Sequence, residues 1–169
     1  MILCHNLCDL PPLPSPIVLT LGTFDGVHAG HRFIFSEMKK RGTAVVLTFS
    51  NHPAEILRGQ APPLLTTLQE KLSLLEASGV DAAVVLPFTR ALADLAYDQF
   101  LIDIRKYLPF SLLMLGEGAS FGHRNEGSAP AVQALGKKLG FEALYLPKLM
   151  QDGEPISSHR LRLAAGVCS

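Results

Sequence analysis

His28 and His31 stand three residues apart in LTLGTFDGVHAGH (19–31), a stretch that also holds Gly22, Asp25, Gly26 and Gly30. The residues before Gly22 form an apolar run with β-branched members, IVLTLG (17–22), which reads as a buried strand. A strand that turns through glycines into a helix presents free backbone N–H groups and the positive end of the helix dipole at the turn, a natural place for an anion. Two histidines at i and i+3 on the first helical turn lie on one side of it. Beside phosphate they would be driven toward the cationic form, well suited to charge developing on phosphate oxygens. On spacing alone, a pair of ordinary surface histidines is an equal alternative. A zinc site is a weaker one, because no third ligand lies nearby. The stretch is not a Walker loop, since no G-K-[ST] follows, and it is not G-x-G-x-x-G.

The elements that must position these residues alternate along the chain. Strand-like runs occur at 17–22, 43–50, 81–88, 111–116 and 141–147, and helix-like stretches at 31–42, 66–79, 97–108, 128–140 and 156–166. Thr67 with Glu70 has capping-box spacing, and Gly42 is the expected stop of the first helix. Residues 51–65, with prolines at 53, 62 and 63, read as loop, and 117–127 as a glycine-rich loop. Continuous apolar strands alternating with helices predict an α/β fold, a Rossmann-like, doubly wound, parallel five-stranded sheet with helices on both faces. Ligands of such sheets bind beyond the carboxyl ends of the strands. That rule selects residues 22–31, 49–53, 87–90, 116–127 and 147–160, where most of the unusual polar residues sit.

With 169 residues, 48% hydrophobic and 18% charged, the chain has the material for one well-cored domain. Residues 1–16 read as a proline-rich lead-in and 17–169 as the domain. Fifteen basic side chains balance fifteen acidic ones, and the KKR at 39–41 is a solvated helix end, so no nucleic-acid partner is expected. No run approaches the ~20 apolar residues of a membrane span, and the N-terminus has no secretory pattern. Cys4, Cys8 and Cys168 are odd in number and sit at the two ends, which favours a cytoplasmic protein without a disulfide framework. Cys4, His5 and Cys8 lack the fourth ligand of a structural zinc site.

GTFDGVHAGH (22–31) resembles the G-x-F-D-G-x-H-x-G-H signature of nucleotidyltransferases, in particular the FMN adenylyltransferase module of bacterial bifunctional riboflavin kinase/FAD synthetases. The likeness continues in LTFSNHP (47–53), in LLTTLQEKLSLLEASGVDAAVVLPF (64–88), in SFGHRNEG (120–127) and in ISSHRLR (156–162), and so covers the chain from about residue 17. It implies the reaction FMN + ATP → FAD + pyrophosphate, with Mg2+ accompanying ATP; no residue is assigned as a direct ligand of the metal. It implies catalytic roles for His28, His31, Ser158 and Arg162, and ATP contacts by Gly22, Thr23, Phe24, Asp25, Gly26, Gly30, Ser157 and His159. It implies flavin contacts by Asn51, His52, Pro53, Gly118 and Phe121. Read from the residues, His52-Pro53 also fits a simple strand-ending turn, and Ser157-Ser158 a helix cap.

The chain departs from the family pattern at three positions. Gly118 and Ala119 stand where the family's G-x-D-F-x-F-G loop has an acid or amide and an aromatic, and His159 stands where I-S-S-T-x-I-R has threonine. The chain stops at Ser169, about where the riboflavin kinase module would begin, so that module is expected to be absent. Two alternatives remain. One is another small-molecule nucleotidyltransferase of the same fold, acting on phosphopantetheine or nicotinamide mononucleotide, which the match over 64–88 disfavours. The other is a non-catalytic flavin- or nucleotide-binding module.

Overall fold

The computed structural model describes residues 1–166; Cys168 and the end of the 17–169 domain lie outside the described residues. The chain runs β1 (Ile2–Cys4), β2 (Ile17–Leu21), α1 (Ala29–Lys39), β3 (Thr43–Phe49), α2 (Pro53–Arg58), α3 (Leu68–Ala77), β4 (Ala82–Leu86), α4 (Arg90–Ala93), α5 (Tyr97–Tyr107) and β5 (Leu112–Gly116). It continues with α6 (Ala129–Leu139), β6 (Glu142–Leu146), the small hairpin β7 (Met150–Gln151) and β8 (Glu154–Pro155), and α7 (Ser158–Ala164).

The main sheet is wholly parallel, in the order β1-β4-β3-β2-β5-β6. Strand residues alternate between two cores. Ile17, Leu19, Val45, Leu47 and Leu113 pack under α5 and α6, while Val18, Val46, Met114 and their neighbours pack under α1 and α3. Both faces are therefore covered, which is why these strands read as unbroken apolar runs.

The doubly wound parallel architecture is as expected, but the sheet has six strands rather than five. The extra strand comes from the segment read as lead-in. Ile2–Cys4 pairs with Ala82–Val84, the N-terminal ammonium meets Glu76 at 2.9 Å, and Cys4 is buried. Three residues are too few to show a period, yet they suffice to cover the open edge of β4. Residues 51–65 are also not all loop. Pro53 sits in the first turn of α2, where its missing N–H costs nothing, and His52 caps that helix. The expected capping box of Thr67 and Glu70 is present on α3. The KKR cluster is held in ion pairs, Lys39 with Asp81 and Lys40 and Arg41 with Glu37.

From β2 the chain winds outward through β3 to β4, then returns to β5 on the other side of β2 and continues to β6. Strand order thus reverses between β2 and β5, and the crevice above their carboxyl ends is where a ligand of this fold belongs. The segments after β2, β5 and β6 border it.

Candidate active site

The turn from β2 into α1 has an unusually constrained backbone. Phe24 and Val27 both have positive φ, 51° and 36°, although neither is glycine. Such residues persist only where their surroundings over-determine them. Asp25, between them, supplies the anchor. Its buried carboxylate accepts from the backbone N–H of Leu65 and of Thr66, both at 3.0 Å, from the Thr66 hydroxyl at 3.1 Å, and from Arg162 Nη2 at 2.5 Å. Burial alone would raise the Asp25 pKa, but these donors outweigh it and hold the carboxyl below its ordinary value. At Gly26, φ is +83° and a Cβ would lie 2.9 Å from Leu65, so glycine is required on both counts.

His28 is the N-cap of α1 and makes no side-chain cap bond, and His31 follows within the first turn. Their rings stack with centroids 3.6 Å apart and planes 19° from parallel. Phe24 braces the pair from beneath, edge-on to His31 at 5.0 Å. Gly30 gives the stack its room: a Cβ there would lie 3.2 Å from both Cε1 and Nδ1 of His28. The Nδ1 atoms of both histidines are buried without a partner. Burial lowers the pKa of His28, and burial together with the adjacent His28 ring drives His31 down to about 3 against a smaller opposing pull from Asp25. In the ligand-free protein both rings are therefore neutral at pH 7. The cationic form expected beside phosphate would have to be induced by the phosphate itself.

The sequence-predicted partners from α7 point elsewhere. Ser157 caps α7 by accepting from the Arg160 N–H, and Ser158 donates to the Asp25 carbonyl at 2.9 Å. Arg162, only 7% exposed, donates through Nε to the Pro63 carbonyl at 2.9 Å as well as to Asp25. These contacts clamp α7 onto the β2–α1 turn, across 137 positions of sequence, instead of leaving Ser158 and Arg162 free above the histidines. Asn51 is likewise engaged: its side-chain amide donates to the Phe88 carbonyl and accepts from the Phe88 N–H, at 3.0 and 2.8 Å. It ties the ends of β3 and β4 together and sets Phe88 against Phe49. His52 accepts the Ala54 N–H through Nδ1.

Lys71 was not singled out by the sequence reading. Its Nζ donates to the carbonyls of Phe49 (2.7 Å) and Thr23 (3.2 Å) and to the Thr48 hydroxyl (3.2 Å), binding β3 to the turn after β2. Burial lowers its pKa to about 8, with Asp25 opposing. The available signal was a lysine on the same face of α3 as Leu68, Leu72 and Leu75.

Three cavities surround this scaffold. One, of about 300 Å³, lies over β2, β5 and β6; His28, Gly30 and His31 form one wall and Glu117, Gly118 and Lys148 the other. A second, of about 470 Å³, is mainly apolar and is walled by Phe49, Pro53, Phe88, Leu92, Phe100 and Phe121, with Arg124 and Asn125 also in its lining. The two share Leu21, Gly22 and Ala119. The third is an open groove of about 640 Å³ whose lining includes His52, Arg58, Pro63, His159 and Arg162.

The predicted residues therefore divide. Gly22, Phe24, Gly30 and the histidines line the smaller cavity, while Thr23, Pro53 and Phe121 line the apolar one. Gly118 belongs to the histidine cavity, not with Phe121, because it precedes the point where the loop crosses between the two. His52 and His159 face the open groove. Asp25, Gly26 and Asn51 line none of these three cavities. Among the described residues no group of three or more His, Cys, Asp or Glu is placed to hold a metal ion.

The family model described as FAD synthetase matches residues 10–160. Bifunctional riboflavin kinase/FMN adenylyltransferase of Escherichia coli (strain K12) is 34% identical over 167 residues, which is 95% of this chain and 53% of that protein. The corresponding protein of Haemophilus influenzae is 31% identical over 153 residues, 86% of this chain and 50% of that protein. The chain thus spans about half the length of the curated relatives it matches. Among solved structures, one described as a macrolide-efflux protein from Streptococcus pneumoniae superposes with a TM-score of 0.83 at 26% identity, over 96% of this chain and 55% of that one. Pantoate-beta-alanine ligase from Francisella tularensis superposes with a TM-score of 0.67 at 15% identity, over 96% and 73% of the two chains, a likeness of fold alone.

Proposed function

We propose, from the premise that this chain belongs to the FAD synthetase family, that it transfers the adenylyl group of ATP to FMN. One observation carries the reading: two cavities of different chemistry meet at Leu21, Gly22 and Ala119, with the stacked histidines beside the junction. The apolar cavity suits a planar tricyclic ring, and the histidine cavity suits a nucleotide with its phosphates at the start of α1.

The chemistry asks little covalent help from the protein. The FMN phosphate, with a second pKa of about 6, is largely ionised at neutral pH. One of its oxygens attacks the α-phosphorus of ATP in line. The bond to the bridging oxygen breaks, pyrophosphate departs with the electron pair, and FAD remains. No general base is required. The protein's task is alignment across the shared wall and stabilisation of charge on the departing group.

His28 and His31 line the cavity where that charge would develop. Ser158 and Arg162 act as positioning residues that hold the Asp25 turn, and through it the histidine pair, in register with β2. Mg2+ accompanying ATP would help to neutralise the charge on the departing pyrophosphate. We place the reaction in the cytoplasm, consistent with Cys4 and Cys8 both being free thiols; no helix among the described residues is long and apolar enough to cross a membrane.

The test is to incubate the pure protein with FMN, ATP and Mg2+ and to quantify FAD and pyrophosphate by chromatography. Equimolar formation of both is expected, and riboflavin in place of FMN should yield no product. Turnover of nicotinamide mononucleotide or phosphopantetheine but not FMN would reassign the substrate. Tight flavin binding with no turnover would make the chain a binding module. His31→Ala should lower turnover by about 100-fold, the usual loss for one electrostatic donor, with the fold intact.

A further inference from the structure

Beyond β5 and β6 the two chains keep running side by side. Gly116 pairs with Leu146 in the last register of the sheet, and the Glu117 N–H donates to the Leu146 carbonyl at 2.7 Å. Two residues on, Gly118 therefore faces Lys148. A Cβ on Gly118 would lie 3.6 Å from Lys148 Nζ and 3.8 Å from its Cε. The ammonium thus rests against a backbone that presents no side chain. Among the described residues Lys148 makes no hydrogen bond and no ion pair.

Both residues line the cavity whose opposite wall is His28, Gly30 and His31. The charge of that cavity is unusual for one meant to take a polyphosphate. Of the formally charged side chains in its lining, Glu117 is negative and Lys148 is the positive one. The stacked histidines are neutral when the site is free. Arg162 is turned away, bound to Asp25 and Pro63. A nucleotide entering with three or four negative charges meets fixed positive charge on this wall alone.

We propose that Lys148 contacts the phosphates of the bound nucleotide, and that Gly118 is the residue that leaves its ammonium free to do so. The inference rests on the adenylyl-transfer reading for the identity of the ligand. Gly118 and Lys148 form one unit. An acidic side chain at 118 would lie next to the ammonium and take it as an ion-pair partner, whereas glycine keeps it available to the ligand. The lysine stem is long enough to follow a phosphate as it moves, which suits a group that must bind ATP and then release pyrophosphate.

The experiment measures ATP binding to the full chain by calorimetry, without FMN, so it does not depend on turnover. Lys148→Met should weaken ATP binding about 10-fold or more, the loss of a hydrogen bond to a charged group, while Lys148→Arg should stay within about 3-fold of the unaltered protein. Gly118→Asp, a residue type that tolerates positive φ better than most, should weaken ATP binding in the same direction. The Lys148→Met loss should shrink as salt is raised. In the steady state, KM for ATP should rise in Lys148→Met with KM for FMN unchanged.

Wild-type ATP affinity in Lys148→Met overturns the proposal, even if FAD is made normally. Equal losses in the Met and Arg variants, accompanied by lower thermal stability, also overturn it, since they would mark a structural role. A chain that binds ATP through Lys148 but forms no FAD refutes the adenylyl-transfer reading and leaves this contact standing. Failure of the unaltered chain to bind ATP refutes both.

Discussion

Replacing His31 by glutamine should flatten the acid sensitivity of the fold. In the unfolded chain His31 titrates near 6.5, and in the native protein burial and the stacked His28 ring hold it at about 3. A histidine with a depressed native pKa leaves stability untouched above pH 6.5. As pH falls below 6.5 the unfolded state takes up a proton that the native state refuses, and stability declines until the native pKa is reached. The gap of 6.5 to about 3 corresponds to about 5 kcal/mol when fully developed, at about 1.4 kcal/mol per pH unit. At pH 5 the loss from this one group is about 2 kcal/mol, a large fraction of the ~5–15 kcal/mol that holds a typical domain.

Urea unfolding at pH 8 and pH 5, followed by circular dichroism, gives the assay. The drop in unfolding free energy between the two pH values should be about 2 kcal/mol larger in the unaltered protein than in His31→Gln. Carboxylates and His28, present in both proteins, cancel to first order. Equal drops in the two proteins would refute the claim that His31 is held neutral in the native protein, and with it the view that a phosphate must induce any charge on the pair.

Two further outcomes follow from contacts around the same turn. Asp25→Ala strips the buried Arg162 of its counter-charge and should cost about 3–5 kcal/mol, whereas Arg162→Ala leaves the carboxylate with its Leu65 and Thr66 donors and should cost about 1–3 kcal/mol. Chemical denaturation of both variants checks the order, and a more severe loss in Arg162→Ala would contradict it. Gly30→Ala puts a methyl 3.2 Å from the His28 ring and should push the stack out of place. FAD formation should fall about 10- to 100-fold while Tm moves by only a few degrees, about the size of a 1 kcal/mol change. A variant with unaltered turnover would mean that the histidine stack is incidental.

The strands β2 to β6 were legible as apolar runs, β2 to β5 because they are buried on both faces. β1 was not, since Ile2–Cys4 has too few residues to show a pattern. α2 was hidden by Pro53, which breaks a helix in its interior but starts one when a capping residue such as His52 precedes it. The histidine pair was legible because its residues are local and their glycines are required by close approach. Asp25 with Arg162, and Lys71 with Thr23, were not legible as pairs, because each joins residues far apart in sequence that only the finished sheet brings together. Which polar groups of the crevice fasten one segment to another was not readable. Asn51 was read as a flavin contact and Arg162 as a catalytic residue, and each makes hydrogen bonds that fasten distant segments together.

The clamp between Asp25 and α7 also sets an order of events when the protein is made. The turn after β2 is made well before α7, so its buried carboxylate waits for a guanidinium translated 137 residues later. Until then the Phe24–Val27 backbone lacks one of the groups that hold it in its strained form, and the histidine pair rests on an unfinished support. A nascent chain halted before residue 158 would carry the whole GTFDGVHAGH stretch without the clamp that completes its turn. The turn is therefore encoded well before the helix that completes it, and its final geometry waits until α7 has been made.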